Sequence, residues 1–524
     1  MTGIVEYIEN RPYTVMEKMS IFTMPPPLEN KMRIPLDRQS AIPLYKQIKM
    51  YVQQGILSGS LAADTRLPAS RQLARELGVN RITVENAYAE LESDGLVFSK
   101  LGSGTYVLEP DPQFALPKKD SDEPWPLWQQ SVAAQGKISP GKPSFFQNNG
   151  GSPAQLIRFA SGIGDANLFP ADDIRKALQA VMRRDGSDAL DYGERNGYGP
   201  LRASIAHILA SQGLNTHPDN ILITAGSQQA LSLVSQLLLN PGDVILVESP
   251  TYAGALDLFR VLGFNVVGIP TDAQGMQVDG LEKLLQQHHP RLIYTIPNFH
   301  NPTGTCLTGP RRRQLLVLAD RYNVPVIEDD FVGDLRYEGH SQPALKALDP
   351  GGRVIYLSTF SKMLMPGLRV GFIAAEGPVY DSLVDFKRIN DVATSALVQR
   401  ALEAYVTVGR YQAHLRRSCQ IFRKRRDVMM SAIRRYLPPE VYFDTPQGGL
   451  FIWLQLPNDL SSDQLLPLAY EAGVDFAPGR PFFPDAARDS SWLRLNFVAQ
   501  EPGQIEEGMK RLGKSIRRLT AEKQ

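Results

Sequence analysis

The chain has 524 residues and a mass of 58.1 kDa, which is more than one hydrophobic core normally serves, so we expect at least two domains. Hydrophobic residues make up 43% and charged residues 21%, and the formal net charge of +1 excludes a wholly basic nucleic-acid-binding protein. A net charge near zero is still compatible with a small basic domain within a neutral chain. The two cysteines, Cys306 and Cys419, form neither a disulfide framework nor a CxxC metal motif.

The N-terminal sequence gives no sign of export or of membrane insertion. The first residues, MTGIVEYIENRPY, carry acids where a signal peptide would carry bases, and no apolar run approaches the roughly 18 residues of a membrane span. We therefore expect a cytoplasmic protein with no membrane partner and no metal site. Residues 1–35 are predicted to form a loose N-terminal arm. Because Met32 begins a more organised stretch, we hypothesise a translation start downstream of Met1, which N-terminal sequencing of the native protein would test.

Residues 36–108 are predicted to fold into a compact winged helix-turn-helix. Apolar residues recur at helical spacing in three stretches, and two short apolar runs follow around a glycine-rich turn. The predicted elements are two helices over Pro43–Leu57 and Ala69–Leu77, a third helix capped by Asn80, and a hairpin formed by Leu96–Phe98 and Thr105–Val107.

The helix that begins after Asn80 would enter the major groove with its N-terminal residues leading. Arginine reaches guanine edges or phosphates, and glycines in the hairpin turn would let it approach the sugar-phosphate backbone closely. Any one of these arginines is as readily a solvated surface charge, so the prediction rests on the set. The candidate DNA contacts are Asn80, Arg81 and Thr83 in the helix, Arg66, Ser70 and Arg71 before it, and Gly102 and Gly104 in the turn.

Residues 109–155 are rich in Pro, Gly, Ser and Lys and are predicted to form a linker. Within it, Trp125 and Trp128 either dock on a domain or are held loosely. Over residues 156–515, strand-length apolar runs such as Val244–Val247 alternate with helical patterns. This alternation predicts an α/β domain with a mostly parallel sheet.

Lys362 follows an apolar strand, and taken alone it is as consistent with an exposed loop lysine as with a catalytic one. Other residues along the chain supply what pyridoxal phosphate requires: a carboxylate for the ring nitrogen, donors for the phosphate and a flat surface for the ring. Each of them alone also has a structural alternative, such as a turn residue or a core aromatic. The set comprises Gly226, Ser227 and Gln228 at a helix N-terminus for the phosphate, Tyr252 for stacking, Asn301 for the ring oxygen, Asp329 for the ring nitrogen, Thr359, Ser361 and Arg369 for the phosphate, and Arg494 for an amino-acid carboxylate.

Two stretches of the chain resemble known families. The segments LYKQI, LPASRQLARELGVNRITVENAYAELESDGLV and GSGTYV resemble the GntR winged-helix family, and the motifs just named, over residues 157–515, resemble fold-type I aminotransferases of the kynurenine and 2-aminoadipate group. A winged helix, a linker and an aminotransferase-like domain in this order resemble the MocR family of regulators. The resemblance implies pyridoxal phosphate on Lys362, a small C-terminal α+β subdomain over about residues 400–515, a homodimer, double-stranded operator DNA as a partner, and an amino acid or amine as effector.

Two positions depart from the patterns of these families. Glu85 stands where some GntR members carry arginine, and an acid there would repel phosphate. Phe331-Val332 stand where aminotransferases often place a tyrosine that donates to the ring oxygen. We therefore predict a raised pKa of the Lys362 imine and slow transamination, which a low, aminotransferase-like pKa in an absorbance titration would contradict.

The residues leave three functions open. The first is a transcriptional regulator that senses pyridoxal phosphate, an amino acid or an amine. The second is a working aminotransferase that carries a DNA-binding domain, supported by Lys362, Asp329 and Arg494 and opposed by Phe331. The third gives Lys362 a purely structural role, which fails if Lys362→Ala abolishes the absorbance of the bound cofactor and changes the response to DNA.

Overall fold

The computed structural model describes residues 34–38, 40, 42–100, 102–109, 129–131, 156–362, 364–457, 460–485 and 491–523. Its compact units are residues 1–130 and 131–524, and each is described by itself. Met32, with the rest of residues 1–33, lies outside the described residues, as do Trp125 and Trp128 and most of the predicted linker.

The first unit is a three-helix bundle with a hairpin. Asn80 caps the third helix, because its side-chain oxygen accepts a hydrogen bond from the backbone N–H of Ile82 at 3.1 Å. Apolar side chains such as Ile48, Leu73 and Val84 form its core. The predicted winged helix-turn-helix is thus confirmed. Its elements are α1 (Leu44–Leu57), α2 (Ser70–Leu77), α3 (Arg81–Ser93), β1 (Val97–Lys100) and β2 (Gly104–Val107).

The second unit is built on an eight-stranded sheet in the order β4-β11-β10-β9-β8-β5-β6-β7. The pairs β6–β5, β5–β8, β8–β9 and β9–β10 are parallel. Strand β11 is antiparallel to both of its neighbours, β10 and β4. The predicted, mostly parallel sheet is confirmed. The strands of this unit are β3 (Ile157–Arg158), β4 (Ile221–Thr224), β5 (Val244–Ser249), β6 (Asn265–Asp272), β7 (Gly275–Met276), β8 (Leu292–Thr295), β9 (Val326–Asp329), β10 (Val354–Thr359), β11 (Gly371–Ala374), β12 (Tyr442–Phe443), β13 (Phe451–Gln455), β14 (Val474–Asp475), β15 (Ala477–Pro478) and β16 (Trp492–Asn496).

Helices of the second unit bury apolar faces against this framework, and the sheet strands themselves are buried almost throughout. Among the described residues, no helix has both the length and the apolar character required to cross a membrane. The helices are Ala171–Asp185, Gly199–Ser211, Ser227–Leu238, Ala253–Val261, Leu281–His288, Gly309–Arg321, Pro378–Asp391, Ala396–Thr407, Arg410–Tyr436, Ser462–Glu471 and Pro502–Lys523.

A second, four-stranded antiparallel sheet lies in the C-terminal part of the chain, in the order β12-β13-β16-β15. The long helix Arg410–Tyr436 packs against the last helix, Pro502–Lys523. The first strand of the unit, β3, pairs in parallel with β14. The segment that follows β3 is therefore held among C-terminal elements, a position that the sequence pattern did not predict.

Candidate functional site

The carboxyl ends of the parallel strands converge on one edge of the large sheet, where ligand sites of α/β folds usually form. Asp329 is the last residue of β9 and Thr359 the last of β10. Gly226 follows β4, and Tyr252 follows β5. The sheet therefore brings together residues that lie more than a hundred positions apart in the sequence.

Lys362 supplies an amine at this edge. Its Nζ donates a hydrogen bond to the backbone carbonyl of Gly162 at 2.9 Å. Burial, with the nearby charges of Arg494 and Arg369, lowers the pKa of Lys362 to about 8, and the carboxylate of Asp329 offsets this in part. A larger share of the amine is therefore neutral near neutral pH, and the neutral amine is the form that attacks a carbonyl group.

Asp329 presents one carboxylate oxygen that has no hydrogen-bond partner among the described residues. The hydroxyl of Tyr294 donates to Asp329 Oδ2 at 2.8 Å, whereas the buried Oδ1 is unpartnered. Burial raises the pKa of Asp329 to about 7. A protonated pyridine nitrogen facing Oδ1 would supply both the missing hydrogen bond and a compensating positive charge, so this position fits the ring nitrogen of pyridoxal phosphate.

Arg494 is buried, and its guanidinium packs against two aromatic rings. Phe451 lies 4.0 Å and Phe482 5.1 Å from its Cζ, measured to the ring centres. Its Nη1 donates to Asn301 Oδ1 and its Nη2 to the carbonyl of Ala160, both at 2.9 Å. Burial lowers the pKa of Arg494 to about 9. The two Nη groups form the planar edge that pairs with a carboxylate.

An anion cradle forms where the helix Ser227–Leu238 begins. Gly226 has φ +101°, and an added Cβ there would lie 2.8 Å from Arg369 Nη2, so glycine lets the guanidinium approach the helix N-terminus. Arg369 Nη2 also donates to the carbonyl of Ala225 at 2.9 Å. The N–H groups of a helix N-terminus beside an arginine suit a phosphate.

The hydroxyls and the aromatic ring predicted for the cofactor lie around this cradle. Thr359 Oγ1 and Ser361 Oγ are 3.1 Å apart, and Thr359 Oγ1 also donates to the carbonyl of Val370. The hydroxyl of Tyr252 donates to Gln228 Oε1 at 3.4 Å. Burial is the main cause of the raised pKa of the Tyr252 hydroxyl, and the negative charge of Asp329 adds to it. All the predicted cofactor residues thus gather at one edge.

In the winged-helix unit, Glu85 contacts two of the residues that are predicted to bind DNA. Arg81 Nε donates to Glu85 Oε1 at 2.6 Å, and Ser70 Oγ lies 3.3 Å from the same oxygen. Arg71 is exposed, whereas Thr83 is half-buried at the start of the helix. Glu85, the acid that departs from the family pattern, therefore forms an intramolecular ion pair with Arg81.

The wing is held close to the helices by Arg66. An added Cβ on Gly104, where φ is +118°, would lie 3.0 Å from Arg66 Nε, and Arg66 forms a backbone bridge with Tyr106. Gly102, with φ +76°, is exposed and has open space around its Cα. Gly104 therefore serves packing as well as turn geometry, whereas Gly102 has no neighbouring side chain among the described residues to accommodate.

Three comparisons bear on these two sites. Residues 44–107 match the gntR family of bacterial regulatory proteins, and residues 155–512 match the family of class I and II aminotransferases. The chain is 33% identical to the uncharacterized HTH-type transcriptional regulator YisV of Bacillus subtilis, over 92% of this chain and 98% of that protein. It is 30% identical to the probable rhizopine catabolism regulatory protein MocR of Rhizobium meliloti, over 91% and 94%.

A solved structure matches the second unit. The α-aminoadipate aminotransferase LysN of Thermus thermophilus, crystallised with N-(5′-phosphopyridoxyl)-L-leucine, is 34% identical with a TM-score of 0.69. The match covers 75% of this chain and 99% of that one. The likeness therefore extends to the sequence as well as to the fold.

Proposed function

The chain belongs to the MocR-type regulators, in which a GntR-family winged helix precedes a class I and II aminotransferase domain, and we propose that occupancy of its pyridoxal-phosphate site controls its affinity for operator DNA. The protein is a DNA-binding regulator whose second domain binds pyridoxal phosphate. The coupling between the two domains, and the role of each residue, are the parts that we propose.

The observation that carries the proposal is the half-buried Lys362 beside the buried Asp329 and Arg494. The lysine amine is the group that attaches the cofactor, Asp329 Oδ1 is the acceptor for its ring nitrogen, and Arg494 is the pair for an amino-acid carboxylate. When bound, pyridoxal phosphate supplies an aldehyde for covalent attachment and an electron-withdrawing ring. The cofactor aldehyde would accept a ligand amine, and Arg494 would pair with a carboxylate where the ligand carries one. We therefore propose an amino acid, or an amine, as effector.

The DNA-binding roles rest on the exposed start of α3 and on the wing. Arg81 and Arg71 present guanidinium groups to solvent, and Asn80 and Thr83 flank the first turn of the helix. We assign Arg81 to base edges and Arg71 to phosphates, since the N-terminal residues of a recognition helix lead into the major groove. The helix and the wing are then positioned against the sugar-phosphate backbone of the DNA by Arg66, Ser70, Gly102 and Gly104.

An exposed apolar patch supports a homodimer. Leu190 and Tyr192 are 65% and 84% exposed, and Ile389 and Val392 are 72% and 54% exposed. The two segments are adjacent, because an added Cβ on Gly193 would lie 3.4 Å from Ala396 Cβ. Exposed apolar side chains on neighbouring segments are typical of protein interfaces. Two copies of the chain would place two winged helices on two half-sites of an operator, and we propose the cytoplasm as their location.

A variant pair tests the dimer. We expect the wild-type chain to sediment at twice 58.1 kDa, and Val392→Asp to shift the equilibrium toward the monomer. Val317→Asp is the matched control, because Val317 is equally exposed, at 57%, on the helix Gly309–Arg321. Monomeric wild-type protein, or equal behaviour of the two variants, would rule out this patch as the dimer interface.

The proposed coupling is tested with operator affinity as the readout. The operator is first recovered by selection of randomised duplexes on the full chain, and its affinity is then measured without ligand, with pyridoxal phosphate, and with pyridoxal phosphate plus an amino-acid panel. We expect a change of about fivefold or more, the usual range of coupling between sites. Lys362→Ala should lose the absorbance of covalently bound cofactor and this response, whereas Lys283→Ala, an exposed lysine on Leu281–His288, should keep both. A full response in Lys362→Ala would contradict the proposal.

Catalysis of transamination is the second candidate function, favoured by the same three residues. Phe331 opposes it, since its buried ring lacks the hydroxyl that would donate to the ring oxygen. Turnover of an amino-acid panel with 2-oxoglutarate distinguishes the two functions. Catalytic turnover without any ligand effect on operator affinity would favour the enzyme over the sensor.

A further inference from the structure

One short segment contacts both the cofactor lysine and the carboxylate-binding arginine. We name residues 159–165, with the sequence FASGIGD, the strap. Lys362 Nζ donates to the Gly162 carbonyl and Arg494 Nη2 to the Ala160 carbonyl, each at 2.9 Å. The strap therefore touches the two groups that a cofactor and an amino-acid ligand would engage.

Other contacts hold the strap without any part in ligand binding. Asn496 Nδ2 donates to the carbonyls of Ser161 and Ile163 at 2.8 and 2.9 Å. Arg425 Nη2 donates to Asp165 Oδ2 at 2.8 Å, with both side chains buried. These bonds come from the C-terminal elements, so the strap stays attached to them when its contacts to Lys362 and Arg494 change.

Along the chain, the strap lies close to the connection with the winged-helix unit. It directly follows β3, and residues 132–156 are the covalent connection from β3 back toward the winged-helix unit. We propose that the strap reports ligand occupancy to the DNA-binding unit by losing its Lys362 contact when the cofactor attaches and its Arg494 contact when a ligand carboxylate binds. This inference rests on the proposed function and specifies its route.

The first loss follows from the chemistry of attachment. The Lys362 amine and the cofactor aldehyde form a C=N bond and release one water, which takes the aldehyde oxygen and both amine protons of the neutral lysine. The nitrogen then carries at most one hydrogen, and the planar C=N bond fixes the direction of that hydrogen. It is therefore no longer the freely rotating amine that donates to Gly162. The strap thereby loses one of its hydrogen bonds when the cofactor binds.

The strap loses its contact with Arg494 only when the ligand carries a carboxylate. A bidentate pair occupies both Nη groups of an arginine, and in Arg494 these groups donate to Ala160 and Asn301. A ligand that carries a carboxylate would therefore compete with the strap for Arg494, whereas an amine without a carboxylate would not. The strap distinguishes an amino acid from the corresponding amine.

Hydrogen–deuterium exchange of the full chain tests the release of the strap. The probes are pyridoxal phosphate, phosphopyridoxyl-L-leucine and phosphopyridoxyl-isopentylamine; the last two differ only in the carboxylate. We expect a peptide spanning residues 157–165 to exchange about fivefold faster with pyridoxal phosphate than without ligand, and faster again with the leucine adduct than with the amine adduct. A strap with fewer anchoring bonds opens more often, and each opening exposes its own backbone N–H groups. Equal exchange with the two saturating adducts overturns the proposal.

The substitution Asp165→Asn tests whether the strap carries the signal. It keeps the side-chain bond to the N–H of Asn167 but removes the charge that pairs with Arg425. We expect the ratio of operator affinities with and without phosphopyridoxyl-L-leucine to change by about threefold or more, with the cofactor absorbance retained. Asp172→Asn, an exposed aspartate seven residues further on, is the matched control and should behave as wild type.

The outcomes separate the strap from the function on which it rests. If the wild-type chain responds to the ligand and Asp165→Asn responds like Asp172→Asn, the strap is not the route and the regulatory function stands. If the wild-type chain binds its operator equally with and without ligand, the sensor function fails and the strap proposal fails with it. The exchange experiment uses only wild-type protein, so it decides the release of the strap even if Asp165→Asn does not fold.

Discussion

The two units hold their functional side chains in opposite ways. In the winged-helix unit, Arg81 and Glu85 pair on the surface, with side chains 47% and 41% exposed. In the aminotransferase-type unit, Asp329 and Arg494 are only 5% and 4% exposed. The side chains of the winged-helix site are exposed to solvent, whereas those of the aminotransferase-type site are shielded from it.

This difference decides how each site responds to change. An exposed ion pair is screened by water and salt and contributes little by itself, so contacts on the winged helix are graded and depend on ionic strength. A buried charge that loses its partner has no water to replace it, so the loss is large. Mutations at the two sites should therefore differ in size and in their dependence on salt.

The largest expected effect is that of Asp329→Asn on cofactor affinity. The amide cannot balance a protonated ring nitrogen, and we expect affinity for pyridoxal phosphate to fall by about 100-fold or more, with little dependence on salt. Asp330→Asn is the matched control, because the neighbouring carboxylate accepts hydrogen bonds from Tyr356 and Asn298 instead. Equal losses in the two variants, measured by titration of cofactor absorbance, would show that Asp329 is not the specific partner of the ring.

Arg81→Ala should have the next largest effect, on DNA binding. We expect about tenfold weaker binding to the selected operator but only about threefold weaker binding to unrelated duplexes, because a base contact carries specificity and a phosphate contact does not. Fluorescence anisotropy at several salt concentrations measures both. Equal losses on the two kinds of DNA would place Arg81 on phosphates only. If the loss of DNA affinity did not change with salt concentration, the exposed site would not differ from the buried site in its dependence on salt.

The pH dependence of cofactor attachment tests the buried site from another direction. Burial lowers the pKa of Lys362 to about 8, so the neutral, nucleophilic amine predominates above that pH, and the rate should fall about tenfold per pH unit below it. We expect the absorbance change on mixing to follow a midpoint near 8, and Arg494→Gln to raise it, because Arg494 disfavours the charged lysine. A midpoint near the ordinary value of 10.5 would mean that water reaches the amine freely.

Local patterns in the sequence were sufficient to predict much of both units. Asn80 caps α3 as expected, and Asp329 ends its strand, because capping and strand alternation depend on neighbours in the chain. The convergence of Gly226 and Arg369 could be expected from the motif order of the resembling family. These predictions needed no knowledge of which distant segments touch.

What the sequence did not predict are contacts made by groups with no local signature. Tyr294 lies in the middle of a buried strand and looks like any core aromatic, yet its hydroxyl holds Asp329. Gly162 takes part through its backbone carbonyl, which every residue carries. The pairing of β3 with β14 joins segments more than 300 residues apart. Such contacts are set by the tertiary fold, which periodicity does not encode.

The smallest expected effect concerns Glu85, and it is the sharpest test of the surface site. Removing its charge in Glu85→Ala takes away repulsion from DNA phosphates, so binding to unrelated duplexes should strengthen by about threefold at low salt. The same change frees Arg81 from its partner 2.6 Å away, which lets the guanidinium sample more orientations. Binding to the operator should therefore strengthen less, and the ratio between operator and unrelated DNA should fall.

Glu85→Gln separates charge from orientation, because the amide oxygen still accepts a hydrogen bond from Arg81 Nε but carries no charge. We expect this variant to bind all duplexes more tightly while keeping the wild-type ratio. If both variants keep the ratio, Glu85 acts through its charge alone, and if neither changes affinity at any salt concentration, the start of α3 does not approach phosphates. Either result would be read from the same anisotropy titrations, and the second would remove α3 from the DNA interface.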